Sequence, residues 1–210
     1  MKVAITLNDV VRTHYEHTKS ILEEEIKRTQ EIGEVFELDD DGEIIGDNLS
    51  TEKKGILLNN TIDNYRFSKI YSFESDQDYD NFIYNERAFS IFSRAEVVYP
   101  EVCQDLNKLY REIIKDHSCT IVSQERGNSK IATLNFLSVN KVLVNNYKFV
   151  YDYSKMWQLF DVIITANPFI LKRKNLNNQN KLSVKIKTQY NEQIKSDYEF
   201  DNLSEVLSMF

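Results

Sequence analysis

Polar groups close three apolar runs in this 210-residue chain, and their chemical types limit what the protein can do. Thr6 and Asn8 end KVAITLN, Ser123 ends SCTIVS, and Thr165 with Ala166 ends VIITA, while Lys155 stands ten residues before Thr165. In an open α/β sheet these positions meet, because the ligand crevice lies outside the carboxyl ends of the strands. Ser123 and Lys155 offer a hydroxyl and an ammonium, which together could hold an anion weakly. Mg²⁺ requires carboxylates, water and substrate phosphate, so Thr6, Asn8, Thr165 and Ala166 give it little to bind.

Two routes back to catalysis fail on the residues themselves. Asp9 is one residue out of step with Asn8, and a one-residue shift at a strand end turns a side chain to the other side. It reads instead as a helix cap or first-turn charge. Thr6 could act as a nucleophile only beside a base. The histidines are His14, His17 and His117, and the first two, at i and i+3 on the first helix, read as exposed or cap-facing. Asp39, Asp40, Asp41 and Asp47 lack the spacing and closing Glu of a calcium loop, so EVFELDDDGEIIGD reads as a hairpin around Asp-Gly. Cys103 and Cys119 have no metal-like spacing and read as free buried thiols. In that setting the triplets at Asn48, Asn59 and Asn202 carry no sugar.

The elements that position these groups follow from hydrophobic period. Strands are expected over Lys2–Thr6, Cys119–Ser123, within Val142–Val150, and over Val162–Thr165 and Ser183–Ile186. Helices are expected from just after Asn8-Asp9 to about Ile32, over Gln77–Ala95, Glu101–Lys115 and Ser129–Ser138, with a short helical turn at Lys155–Phe160. A further strand is expected near Gly55–Leu58. The aromatics Tyr79, Phe82, Phe89 and Phe92 fall at helical spacing and read as core. Strands alternating with short helices indicate a parallel sheet with crossover connections. The first strand belongs with the later ones, so residues 1–12 and 116–210 form the core and 13–115 a mainly helical insertion after strand one.

Composition excludes several classes. The net charge of −7 opposes non-specific binding to nucleic acid or anionic membrane. The basic residues Lys172, Arg173, Lys174, Lys181, Lys185 and Lys187 read as a solvated face. With 5 Gly and 2 Pro there is little material for a Gly-rich phosphate loop, and none is present. Met1-Lys2 leads straight into a strand and no apolar run approaches 18 residues, so neither leader nor spanning segment is expected.

VAITLNDVV resembles the first motif of haloacid-dehalogenase-like (HAD) phosphatases, in which a strand ends in Asp-x-Asp. SCTIVS resembles the second, and SKMWQLFDVIITANPFIL resembles the joined third and fourth motifs of the 5'-nucleotidase-like branch, with Lys155, Asp161, Thr165, Ala166 and Pro168 in the matching places. The resemblance covers about ten initial residues and 116–190, and it implies a Rossmann-like core with a cap-like insertion. It also implies that Thr6 stands at the nucleophile position, Asn8 at the acid/base position and Thr165-Ala166 at the metal pair. All four carboxylates are replaced, and Ser123 and Lys155 remain as the phosphate-orienting pair. No cofactor or metal is expected.

A narrower resemblance rests on ITLNDVVR, FSIFSRAE with YPEV, SQERGNSKIATLNFLS and MWQLFDVIITANPFIL. These are similar to proteins of tailed bacteriophages of gut bacteria, the crAss-like phages, where a HAD-like protein stands among virion genes. The resemblance implies an inactive virion component of the portal, collar, ring or tail region. It would be made in the host cytoplasm, form a homo-oligomeric ring, and contact other virion proteins with no direct nucleic-acid or membrane partner. The apolar terminus Leu203, Val206, Leu207, Met209 and Phe210 would dock on a neighbour or on its own domain. The competing expectations are a Mg²⁺-dependent phosphatase or nucleotidase on small phosphate esters, and a phosphate-sensing pseudoenzyme.

Overall fold

A computed structural model of the chain describes residues 1–33, 67, 73, 75–174 and 180–210. The expected hairpin over 34–47, its aspartates and the strand near 55–58 lie outside the described residues. Six strands form one parallel sheet: β1 (Lys2–Thr6), β2 (Ser118–Ser123), β3 (Tyr147–Phe149), β4 (Val162–Thr165), β5 (Leu182–Ile186) and β6 (Tyr198–Phe200). Their order is β3-β2-β1-β4-β5-β6. The chain builds outward from β1 to β3, then returns to lay β4 on the other side of β1. The switch point therefore falls between β1 and β4, where such sheets form their crevice.

The central strands are β-branched and apolar because both faces are covered, which parallel sheets require. Val3, Ala4 and Ile5 have no exposed surface. On one face Val3 and Ile5 pack with Leu106, Leu109 and Ile113 of α3 (Val102–Asp116), Phe136 of α4 (Ser129–Val139) and Val206 of α7 (Leu203–Val206). On the other, Ala4, Val122 and Ile163 pack with Met156 and Trp157 of α5 (Met156–Leu159) and Ile170 of α6 (Pro168–Lys172). The Trp157 indole N–H donates to the Ile170 carbonyl at 2.8 Å, which joins α5 to α6. The apolar terminus thus docks on its own domain: Leu203 and Val206 are fully buried against the sheet core, with Leu207 and Met209 packed around them.

Between β1 and β2 stand α1 (Tyr15–Gly33), α2 (Asp76–Asn81), two π-helical turns (Phe82–Glu86 and Phe89–Ser93) and α3. The segment expected as one helix over Gln77–Ala95 is broken because its later turns close over five residues instead of four. Its aromatics are not all core. Phe92 is buried, whereas Phe89 is 49 % exposed. Leu22, Ile83, Ile91 and Phe92 form a separate apolar cluster with Tyr15 and Phe67, and Ala132 of α4 joins the core to it. Although α3 falls within residues 13–115, its apolar side belongs to the sheet core, so it serves as a crossover helix from β1 to β2.

Asn167 shows how the strand ends are fixed. Its side chain accepts from the N–H groups of Phe169 (2.8 Å) and Ile170 (3.2 Å), capping α6, where Pro168 occupies a position that needs no donor. Asn167→Ala is expected to cost about 1 kcal/mol of stability in urea unfolding; an unchanged midpoint would show that the cap is not made in solution.

Candidate functional site

The end of β1 makes a tight loop. The Leu7 carbonyl accepts from the N–H groups of Val10, Val11 and Arg12 at 3.3, 2.9 and 3.3 Å, and Asp9 N–H donates to the Arg12 carbonyl at 2.8 Å. Asp9 sits at φ 58°, a left-handed conformation that Asp tolerates better than most side chains. This loop displaces the start of α1 to Tyr15, five residues beyond the position expected from sequence. Asp9 caps the helix from a distance, its Oδ1 accepting from the N–H groups of His14 (2.7 Å) and Tyr15 (2.9 Å).

The same loop turns Arg12 inward. Its side chain has no exposed surface, and each of its five N–H donors has an acceptor. Nε and Nη2 donate to Asn8 Oδ1 at 2.9 and 2.7 Å, Nη1 to the Phe92 carbonyl at 3.0 Å and Thr133 Oγ1 at 2.9 Å, and Nη2 also to Glu125 Oε1. The guanidinium lies 4.9 Å from the Phe92 ring centroid and 5.6 Å from that of Phe136. Glu125 is equally buried, and its other oxygen accepts from the Ser123 hydroxyl. Burial pushes the Glu125 carboxyl above its ordinary range, against the pull of Arg12.

The loop that carries Glu125 is held from above. Gly127 is at φ 54°, and a Cβ there would collide with the Asn85 side chain, which accepts from Asn128 N–H at 3.3 Å.

Beside this pair the Thr6 hydroxyl donates to Thr165 Oγ1 at 2.9 Å, and Thr165 Oγ1 also accepts from Asn167 N–H at 3.0 Å. The sheet brings Thr6, Asn8, Ser123 and Thr165 together at the strand ends, while Ala166 packs into the apolar core. Each polar side chain among them is satisfied by another protein group. Lys155 is not part of the group: it stands exposed in the 3₁₀ turn Tyr153–Lys155 and lines neither of the two cavities at the strand ends. The anion-binding pair read from the sequence is not assembled, because Ser123 is committed to Glu125 and Lys155 faces solvent. Sequence reading missed Arg12 and Glu125, although an arginine closing NDVVR and a glutamate two residues after Ser123 were the available signals.

The space left at the strand ends is a cavity of about 10 Å³ lined by Thr6, Asn8, Ser123, Gln124 and Asn167. That is about the room one water needs. A divalent cation is disfavoured, since the one carboxylate present is engaged by the fixed positive charge of Arg12. Among the described residues no group of three or more His, Cys, Asp or Glu side chains is arranged to hold a metal.

Above this floor a larger cavity of about 510 Å³ opens between the core and the α1–α2 segment. Its cations already have carboxylate partners: Arg126 pairs with Asp80 and lies between the rings of Tyr84 (4.7 Å) and Tyr151 (4.2 Å), and Arg173 stands 3.9 Å from Asp152. His14 lines the same cavity, stacked on Phe92 at 5.2 Å. Burial, then the nearby Arg12 and His17 charges, lower its pKa from 6.5 to about 3.

A depressed histidine pKa means that the unfolded chain takes up a proton that the folded chain refuses. The His14 contribution is therefore complete above pH 6.5 and is lost as pH falls toward 3, with a slope of at most about 1.4 kcal/mol per pH unit. Replacing His14 by Asn should flatten the acid limb of a stability–pH curve over that window. An unchanged limb would mean that His14 titrates freely in the fold.

The expected basic face is neutralised rather than solvated alone. Lys174 pairs with Asp197, Lys181 lies 4.0 Å from Asp161, Lys187 2.6 Å from Asp201, and Lys185 is buried 3.0 Å from Glu199.

No protein-family model matches the chain, and neither does any curated protein. Among solved structures, the crystal structure of a dehalogenase aligns over 100% of this chain and 96% of its own, with a TM-score of 0.54 and 12% identity. A second structure, of a dehalogenase with an intermediate complex, aligns over the same shares with a TM-score of 0.53 and 12% identity. The chain thus shares its fold, a parallel six-stranded α/β core, with these two dehalogenases. At this identity the likeness speaks for the fold alone.

Proposed function

We propose that this chain is a catalytically inactive HAD-like protein that serves as a structural or assembly component of a phage virion, in the portal, collar, ring or tail region. The observation that carries the inactive reading is the buried Arg12–Glu125 pair beside strand ends that present the hydroxyls of Thr6 and Thr165, with space there for about one water. Hydrolysis of a phosphate ester there would need a carboxylate nucleophile, a second carboxyl group as acid and base, and room for the substrate. At the strand ends Thr6 and Thr165 carry hydroxyls, and the buried carboxyl group of Glu125 is engaged by Arg12 and Ser123. Placement in the virion rests on the similarity of ITLNDVVR, FSIFSRAE, SQERGNSKIATLNFLS and MWQLFDVIITANPFIL to proteins of crAss-like phages.

In this reading the partners are other virion proteins and further copies of the chain in a ring, after synthesis in the host cytoplasm. The paired cations of Lys174, Lys181, Lys185 and Lys187 support a role without direct nucleic-acid contact. No helix among the described residues is long and apolar enough to cross a membrane. Quantitative mass spectrometry of purified particles tests the placement. A fixed copy number per portal supports a ring component, and absence from particles overturns it.

The fold shared with two dehalogenases favours a second reading, an enzyme or phosphate sensor working in the larger cavity. Mg²⁺-dependent turnover of small phosphate esters, or thermal stabilisation by phosphate without turnover, would select it.

A further inference from the structure

The two edges of the sheet carry matching patterns. Among the described residues β3 and β6 are the outermost strands, and they read Tyr147-Lys148-Phe149 and Tyr198-Glu199-Phe200. Both are aromatic–charge–aromatic, with opposite central charges. Register fixes which way each side chain points. Lys148 is level with Val122, which shares its sheet face with Ala4, Ile163 and Lys185, and Lys185 is level with Glu199. Lys148 and Glu199 therefore project from the same face of the sheet, and the four aromatics from the other.

The edge backbone of β3 is also free to pair. The Asn146 carbonyl accepts from Ile121 N–H and Val150 N–H donates to the Ser123 carbonyl, so by alternation Tyr147 and Phe149 turn their N–H and C=O groups away from β2. Lys148 is exposed and has no carboxylate partner among the described residues, and Glu199 keeps 41 % of its side chain exposed beside Lys185.

We propose that copies of this chain associate by placing β6 of one against β3 of the next, in parallel, with Tyr147 level with Tyr198, Lys148 with Glu199 and Phe149 with Phe200. A directly opposite Lys–Glu pair favours this register, and a like-charge pair opposes it. The two edges differ, so the contact is heterologous, and repetition generates a closed ring or an open filament according to the rotation per copy. The proposal builds on the assembly reading above but uses neither the crevice nor its chemistry, so failure of the edge contact and discovery of turnover are separate results.

Sedimentation velocity of the full chain at rising concentration is the test. The wild type should appear as multiples of its 24.8 kDa mass. Lys148→Glu and Glu199→Lys should each remain at the single-chain mass, because each sets like charges against each other. Their equimolar mixture should reassemble, since both of its alternating contacts then join opposite charges. Glu199 also neutralises Lys185, so Tyr147→Pro, which removes an outward N–H together with a ring partly packed on the core, provides a second block should Glu199→Lys not fold. A wild type that stays at 24.8 kDa, or folded Lys148→Glu or Tyr147→Pro chains that assemble like wild type, would overturn the proposal.

Discussion

Arg12→Met is expected to lower unfolding free energy by about 3–5 kcal/mol, the cost of leaving a buried carboxylate without its counter-charge. Glu125 has no exposed surface, and with Arg12 removed it keeps neutral partners, the Ser123 hydroxyl, the Asn8 side chain and a backbone N–H, with no counter-charge. Arg12→Lys should recover little, because an ammonium cannot reach Asn8, Phe92, Thr133 and Glu125 together as the guanidinium fork does. The double variant Arg12→Met with Glu125→Leu should regain most of the loss, since replacing both members of a buried pair by apolar groups of similar volume is often close to neutral. Urea unfolding of the wild type, Arg12→Met, Glu125→Leu and the double variant completes the cycle. Additive losses, with no recovery in the double variant, would mean that the two charges do not act as a pair.

Thr6→Asp is expected to be destabilised by about 3 kcal/mol without gaining Mg²⁺ affinity. Its carboxylate would enter a site where Thr6 is 6 % exposed and its neighbour Thr165 fully buried. The donors in reach are the Thr165 hydroxyl and the backbone around it, and no second carboxylate is placed to share a cation. Adding millimolar Mg²⁺ should leave the melting temperature of this variant unchanged. A clear rise with Mg²⁺ would reveal a latent metal site and weaken the inactive reading. Asn8→Asp makes the useful contrast, because Arg12 already directs two N–H groups at that position and would neutralise the new charge.

The sheet was legible in the sequence because its central strands are β-branched runs that end in single polar residues. Thr6, Ser123 and Thr165 fell where those runs stop, and the parallel topology brought them together without further information. β6 was not legible, since three residues in the polar stretch around Tyr198–Phe200 show no period. The helical stretch ending at Ser93 was seen as one helix because hydrophobic spacing cannot separate an α-turn from a π-turn over so short a length.

The candidate site was legible by what it lacks and illegible by what replaces it. The neutral side chains of Thr6, Asn8, Thr165 and Ala166 can be read directly. That Arg12 points inward depends on the left-handed Asp9 and on three N–H groups converging on the Leu7 carbonyl, which are tertiary consequences of a loop pinned at Val98 and Glu96. Glu125 reads as an ordinary polar residue until Gly127 and Asn85 fix its loop beneath the aromatic segment. The exposed position of Lys155 shows the converse. A residue at the expected spacing does not reach a site whose floor is already closed.

The most direct test of the inactive crevice is turnover by the purified full-length wild type on a panel of small phosphate esters, with millimolar Mg²⁺ and with chelator. Expected is phosphate release no faster than in protein-free buffer under both conditions. Release that depends on Mg²⁺, scales with protein concentration and disappears on chelation would contradict a crevice closed by Arg12 and Glu125.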